Sequence, residues 1–226
     1  MFDRWANAFS VVFTPKILLF LGQGLLNTLY IAAVSIILSL IFGTILGLMR
    51  NSKGKPIQLI ATLYIEIVRN IPLTLFVISM RFMTKLPPLE SGIAAMTVFT
   101  SAIVAEIVRG GLNSIGKGQW EAATSQGFSH PATLWHIIIP QALQRIRSPL
   151  ISQFVTTIKD TSFCAVVGTY ELSFTSKIVA AHRTIVTAED ILVLYLVVAF
   201  IYYIINRTFS GIARRERGNA MKGVVR

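Results

Sequence analysis

The sequence holds one cysteine and ten acidic side chains, and charged residues of both signs make up only 14% of its 226 positions. A lone Cys164 excludes an internal disulfide framework and a thiolate metal cluster. It reads as a small buried apolar filler. His130, His136 and His182 have no carboxylate or cysteine at ligand spacing, so no metal site is expected. With no serine elbow and no H-E-x-x-H, nothing suggests an intramembrane hydrolase, and no catalytic residue is assigned. Soluble domains carry roughly 25% charge, so this chain lacks the polar surface to cover a globule of its size. Its 54% apolar content excludes a disordered chain equally well.

What is present is long uncharged stretches. Residues 17–49 carry no charge at all, and about 20 apolar residues suffice to cross the hydrocarbon of a bilayer. The chain is therefore read as an integral membrane protein: one all-α domain over residues 1–226. Five spans are expected, at about 25–49, 57–80, 91–108, 150–170 and 191–212. Glu66, Arg69 and Pro72 interrupt the second, and Lys159 and Asp160 sit inside the fourth. The N-terminal stretch does not read as a secretory signal. Asp3 precedes its apolar part, Pro15 interrupts it, and no small-residue cleavage site closes it.

Twenty-one Lys and Arg against ten Asp and Glu leave a net charge of +11. In a membrane protein such an excess sets topology, because cation-rich loops stay inside. Placing the C-terminus inside puts three cations after the first span, Lys53 among them. It puts four in the loop after the third and six at the C-terminus, including Arg226. Only six, including Arg183, then fall outside. The expectation is an outer N-terminus, a cytoplasmic C-terminus and no nucleic-acid partner.

Charges inside spans each cost roughly 2.5–3.5 kcal/mol near the bilayer centre, so they must face protein, water or one another. Glu66 and Arg69 stand one helical turn apart and can pair, as can Glu106 and Arg109. Lys159 and Asp160 are neighbours in sequence and point about 100° apart on a helix. At least one of them should face a cavity or another span. Gly43 and Gly47 form a GxxxG, a mark of close helix packing.

Between the third and fourth spans lies a polar stretch, 109–148, too long for a simple connection. It reads as two short helices, 118–126 and 131–139, with a turn at Gly127 and Pro131 in a first turn. Pro140 should stop the second helix. Gln119, Glu121 and Gln126 would face water and suit docking against a cytosolic partner. Gly111, Gly116 and Lys117 superficially match a phosphate-binding loop. Gly118 stands where its hydroxyl is needed, and no strand precedes it.

The run Glu121-Ala122-Ala123, Gly127, Ile137, Ile138 and Ile139-Pro140 resembles the EAA loop of ABC importer permeases, EAA-x3-G-x9-I-x-LP. Only Ile139 departs from it, standing where the pattern has Leu. Arg69-Asn70-Ile71-Pro72-Leu73, Ala105-Glu106-Ile107-Val108-Arg109-Gly110-Gly111, Gly118-Gln119-Trp120 and Lys159-Asp160-Thr161-Ser162 resemble the polar amino acid permeases within that family. The likeness covers about 22–217. It implies the type I ABC importer permease fold, with a cytoplasmic coupling helix in the loop, in the bacterial cytoplasmic membrane.

The resemblance also implies partners. Glu121, Ala122, Ala123, Gly127, Ile137 and Pro140 would couple to an ATP-binding cassette subunit, which binds the ATP and Mg, so this chain needs no cofactor. A second permease subunit, identical or sibling, and an extracytoplasmic amino-acid-binding protein would complete the importer. The cargo would be a polar amino acid, with the Arg69–Pro72 variant leaning towards glutamine or glutamate. Asp160 would take the substrate ammonium beside the hydroxyls of Thr161 and Ser162, helped by Glu106; Arg69 and Asn70 are further pathway candidates. Two alternatives stand beside this reading: a channel or scaffold subunit working without ATP, and the same family carrying an opine, cystine or basic amino acid.

Overall fold

The computed structural model describes residues 2–52, 54–182, 185 and 187–224, with side chains described between 3 and 211. Lys53, Arg183 and Arg226 of the charge count lie outside the described residues. Among these the chain is helical, with no strand. The α-helices are α1 (Phe2–Val12), α2 (Pro15–Arg50), α3 (Lys55–Asn70), α4 (Leu73–Thr84), α5 (Pro88–Asn113), α6 (Lys117–Ser125), α7 (His130–Thr133), α8 (Ile139–Asp160), α9 (Leu172–Ala180) and α10 (Ala188–Val224). A π turn, Leu134–Ile138, links α7 to α8, and a 3-10 segment, Thr161–Val167, follows α8.

Among the described residues, three helices are long and apolar enough to cross a membrane: Pro15–Arg50, Pro88–Asn113 and Ala188–Gly211. They cover the first, third and fifth expected spans. The second passes only as a broken pair, α3 and α4. Ile71 and Pro72 adopt extended ψ angles of 131° and 132° there, ending one helix and opening the next. The stretch expected as the fourth span is not one helix. It takes the last turns of α8, then the 3-10 segment, then Gly168 in the left-handed region at φ 79°.

Pro140 does not end its helix as expected. Residues 130–160 are helical without interruption through α7, the π turn and α8. Pro140 is the second residue of α8, directly after the π turn. A proline is tolerated where an amide lacks a helical partner, and the widened turn displaces the carbonyl its ring would strike.

The chain forms two compact units. One comprises Met1–Ser35, Pro72–Met96 and Thr156–Phe209. Its core gathers Ala8, Val12, Leu21, Leu172 and Leu194, with a smaller cluster of Ile31, Met96 and Cys164. Cys164 is fully buried, as the sequence suggested. The other comprises Ile36–Ile71, Thr97–Val155 and Ser210–Arg226, with Val104, Val108, Leu112, Ile138, Ala142 and Ile146 at its centre. There the GxxxG earns its place. A Cβ on Gly43 would lie 2.6 Å from Val104, and one on Gly47 would lie 2.7 Å from the Ala105 carbonyl.

The helices are inside-out by the standard of a soluble protein. Along α2, Thr28, Ser35 and Ser39 are fully buried while Leu19, Leu26, Ile37 and Ile41 face outward. Hydroxyls bond to protein and aliphatic side chains point outward, the arrangement an apolar solvent selects.

Candidate functional site

The loop of the EAA pattern is an ordered device. Helix α6 stops because Gly127, at φ 82°, turns the chain into the left-handed region. The Phe128 amide then donates to the Ala123 carbonyl at 3.0 Å, and the Gly127 amide donates to Thr124, also at 3.0 Å. This 6→1 and 5→2 pair is a Schellman cap, which satisfies the free carbonyls of the helix end. Ser129 next caps α7, its Oγ accepting from the Ala132 amide at 3.4 Å.

Packing fixes which face of α6 is left over. Ala123 is buried, so its small side chain lets α6 approach the helices beneath. Trp120 packs against His130 in a tilted pair with ring centroids 4.9 Å apart, and Gln141 Nε2 donates to Gln119 Oε1 at 3.1 Å. Glu121, Ala122 and Gly127 are exposed, as are Trp135 and Pro140. Ile138 is buried in the core, with Ile137 partly buried against it. The motif thus divides into residues that hold the loop and residues that project from it. The Gly111–Lys117 match forms no loop: Gly111 lies inside α5, where a Cβ would strike Ile146.

Of the two pairs expected one turn apart, Glu106–Arg109 forms within α5, while Glu66 turns to another helix. Glu66 bonds Arg50 at 3.0 Å, whereas Arg69 lies 3.9 Å from Glu106, so the Glu66–Arg69 turn pair does not form. Glu106 is the hub. Its Oε2 accepts from Arg50 Nη1 at 2.8 Å, and its Oε1 accepts from Arg109 Nε at 3.1 Å. Three guanidiniums and two carboxylates therefore join the ends of α2, α3 and α5, which answers the cost of placing them in an apolar setting. Asn70 donates to the Glu66 carbonyl at 2.7 Å and caps its own helix. Arg69, Asn70 and Glu106 thus gather in one unit, and Asp160, Thr161 and Ser162 belong to the other.

Asp160 closes α8 and opens the 3-10 segment, half-buried. Among the described residues it has no ion pair or hydrogen-bond partner. Thr161 is fully buried, and its hydroxyl donates to the Ile158 carbonyl at 2.8 Å. Ser162 is half-buried and Lys159 exposed. A seven-residue 3-10 run is long for that geometry and commonly marks a hinge or strain. Both α4 and α9 pack against it.

Sequence reasoning missed Glu171, a fully buried carboxylate. It caps α9, accepting from the amides of Ser173 at 2.9 Å and Phe174 at 2.7 Å. Tyr202 of α10 donates to it at 3.0 Å, and Thr28 of α2 accepts from the Leu172 amide at 3.1 Å. One acid thus ties α2, α9 and α10 together. The available signal was a carboxylate directly before a short amphipathic stretch, 172–180, in the cap position that satisfies free helix amides.

Residues 36–215 match the family described as binding-protein-dependent transport system inner membrane component. A probable glutamine ABC transporter permease protein of Bacillus subtilis is 38% identical over 92% of this chain and 96% of its own length. An L-cystine transport system permease protein of the same organism is 33% identical, over 82% and 80%. Among solved structures, an amino acid ABC transporter determined with histidines superposes with a TM-score of 0.82. It is 30% identical and covers 89% of this chain and 95% of its own. The MetNI methionine ABC transporter, at 18% identity and a TM-score of 0.71, shares the fold, over 90% of this chain and 99% of its own.

Proposed function

Since the chain belongs to the family of binding-protein-dependent transport system inner membrane components, we propose that it is the membrane-spanning subunit of an ABC importer for polar amino acids. It is a transporter subunit, not an enzyme, and ATP is hydrolysed by its cassette partner. The observation that carries the coupling role is the capped α6–Gly127–α7 device, which holds Glu121 and Ala122 outward on a buried Ala123. Closure of two ATPase subunits would push on this projecting helix.

The helical run beginning at His130 ends at Asp160, so a displacement of the loop has a covalent route to the candidate pathway residues. Asp160, without a partner of its own, accepts the ammonium of the cargo, and Ser162 adds a hydroxyl. Thr161 serves through its remaining acceptor capacity. Glu106, Arg69 and Asn70 act on the pathway through the charge network, not by free side chains. Five crossings complete the reading: α2, the broken pair α3–α4, α5, α8 with its 3-10 extension, and α10. The N-terminus is outside and the C-terminus inside. Glutamine or glutamate is the favoured cargo, supported by the Arg69–Pro72 segment and by the glutamine permease likeness. A second permease subunit and an outer binding protein complete the pathway.

Cross-linking tests the coupling role. A Glu121→Cys chain in a Cys164→Ala background, purified with its ATPase subunit, should form a cross-link to that subunit through a short bifunctional thiol–amine reagent. Nucleotide should change its yield. A cross-link from Lys85→Cys instead, with none from Glu121→Cys, would overturn the assignment.

A further inference from the structure

A cavity of about 450 Å³ opens in the elbow between α1, α2 and α9. Its walls are Val11, Ile17, Phe20, Ile178 and Val179. Thr14, Lys16 and His182 supply the polar side chains of the lining. A volume of this size is that of a ligand site, and one so apolar in its walls selects a hydrocarbon occupant.

Its position decides which hydrocarbon. Lys16 lines the cavity and is the last charge before the uncharged run 17–49, the position at which a helix entering a bilayer would pass from headgroups into hydrocarbon. Lys16 is exposed, and its stem can lie along apolar surface with the ammonium at the polar boundary. Helix α1 beside it is fastened by buried Ala8 and Val12 and by an Arg4–Glu189 pair at 3.7 Å. Its Trp5 and Phe9, and Phe13 just beyond its end, face outward at four-residue intervals, 36%, 52% and 50% exposed. Aromatic side chains on an amphipathic helix settle at the membrane interface. An α1 seated at the interface in this way would open the cavity to the leaflet.

We propose that this cavity is a phospholipid site: one acyl chain fills the apolar elbow and the phosphate sits at Lys16, with the Thr14 hydroxyl beside it. A bound lipid there would wedge α1 against α9, whose first turn is held by Glu171. A free amino acid does not suit the walls, and a second copy of this chain is the competing occupant that the test resolves.

The probe is phosphatidylglycerol against diacylglycerol of the same acyl composition, added to the purified permease–ATPase complex and read by native mass spectrometry. The complex should retain phosphatidylglycerol at least about five-fold better than diacylglycerol, a difference of about 1 kcal/mol. Lys16→Gln should bring the two lipids level while some acyl binding remains. Ile178→Trp, which fills the cavity, should abolish retention of both. Thr14→Trp at the exposed mouth does the same without touching the core, should Ile178→Trp fail to assemble. Equal retention by wild type and Thr14→Trp, or a Lys16→Gln chain that keeps the preference, would overturn the site. So would disulfide cross-linking of two copies through Thr14→Cys.

Discussion

Replacing Gly127 isolates the backbone contribution to coupling. A Cβ at this position would meet no atom within 4 Å, so a substitution creates no clash. What it meets is the φ of 82° on which both cap hydrogen bonds depend. An L-residue in that region costs roughly 1–2 kcal/mol, Asn less, and a β-branched side chain more. If the ATPase subunit binds only the capped loop, that cost passes into affinity as about a 5–30-fold weakening for Gly127→Ala. Titrating the purified ATPase subunit onto the permease in nanodiscs measures it directly. The expected order of affinity is Gly, Asn, Ala, Val, with insertion and capture of the outer binding protein unchanged. Binding of Gly127→Val as tight as wild type, or an Asn variant no better than Ala, would refute the claim that this turn presents the docking helix.

The remaining expectations concern the buried charges and the topology. Asp160→Asn should assemble with the ATPase yet transport poorly; normal transport by Asp160→Asn together with failed assembly of Asp160→Leu would make the residue structural. Glu106→Ala, which takes the carboxylate from Arg69 and Arg109 and leaves Arg50 with Glu66, should destabilise the protein by about 1.5–3 kcal/mol in a denaturant titration. Glu66→Ala, at a side chain 57% exposed, should cost under about 1 kcal/mol, and equal losses would deny that Glu106 is the hub. In a Cys164→Ala chain, Asn51→Cys should react with an impermeant thiol reagent only from the cytoplasmic side and Ala181→Cys only from outside. The reverse pattern would invert the orientation.

The sequence discloses some of this readily and some of it badly, for physical reasons. An uncharged run such as 17–49 needs no tertiary information, because the bilayer imposes its own length on any helix that crosses it. The turn at Gly127 was equally legible, because its positive φ follows from the one residue type suited to a Schellman cap. The break of residues 150–170 into α8 and a 3-10 segment was not legible, because the geometry from Thr161 onward depends on α4 and α9 packing against it. The Glu66–Arg69 pairing failed since spacing offers only local partners, whereas Arg50 and Glu106 arrive from other helices. Pro140 was judged by its ring alone, and the π turn before it supplied the relief. Glu171 carried almost no signal, being one acid whose meaning lies in Tyr202, thirty-one residues on.

The most direct test of the central claim is uptake of radiolabelled glutamine into proteoliposomes. These contain the permease with its ATPase subunit, ATP sealed on the ATPase side and the binding protein on the other. Accumulation above the external concentration is expected, abolished when ATP is replaced by a non-hydrolysable analogue or when the binding protein is omitted, and competed by glutamate before alanine. Flux that proceeds without ATP and stops at equal concentrations would identify a channel and contradict the account.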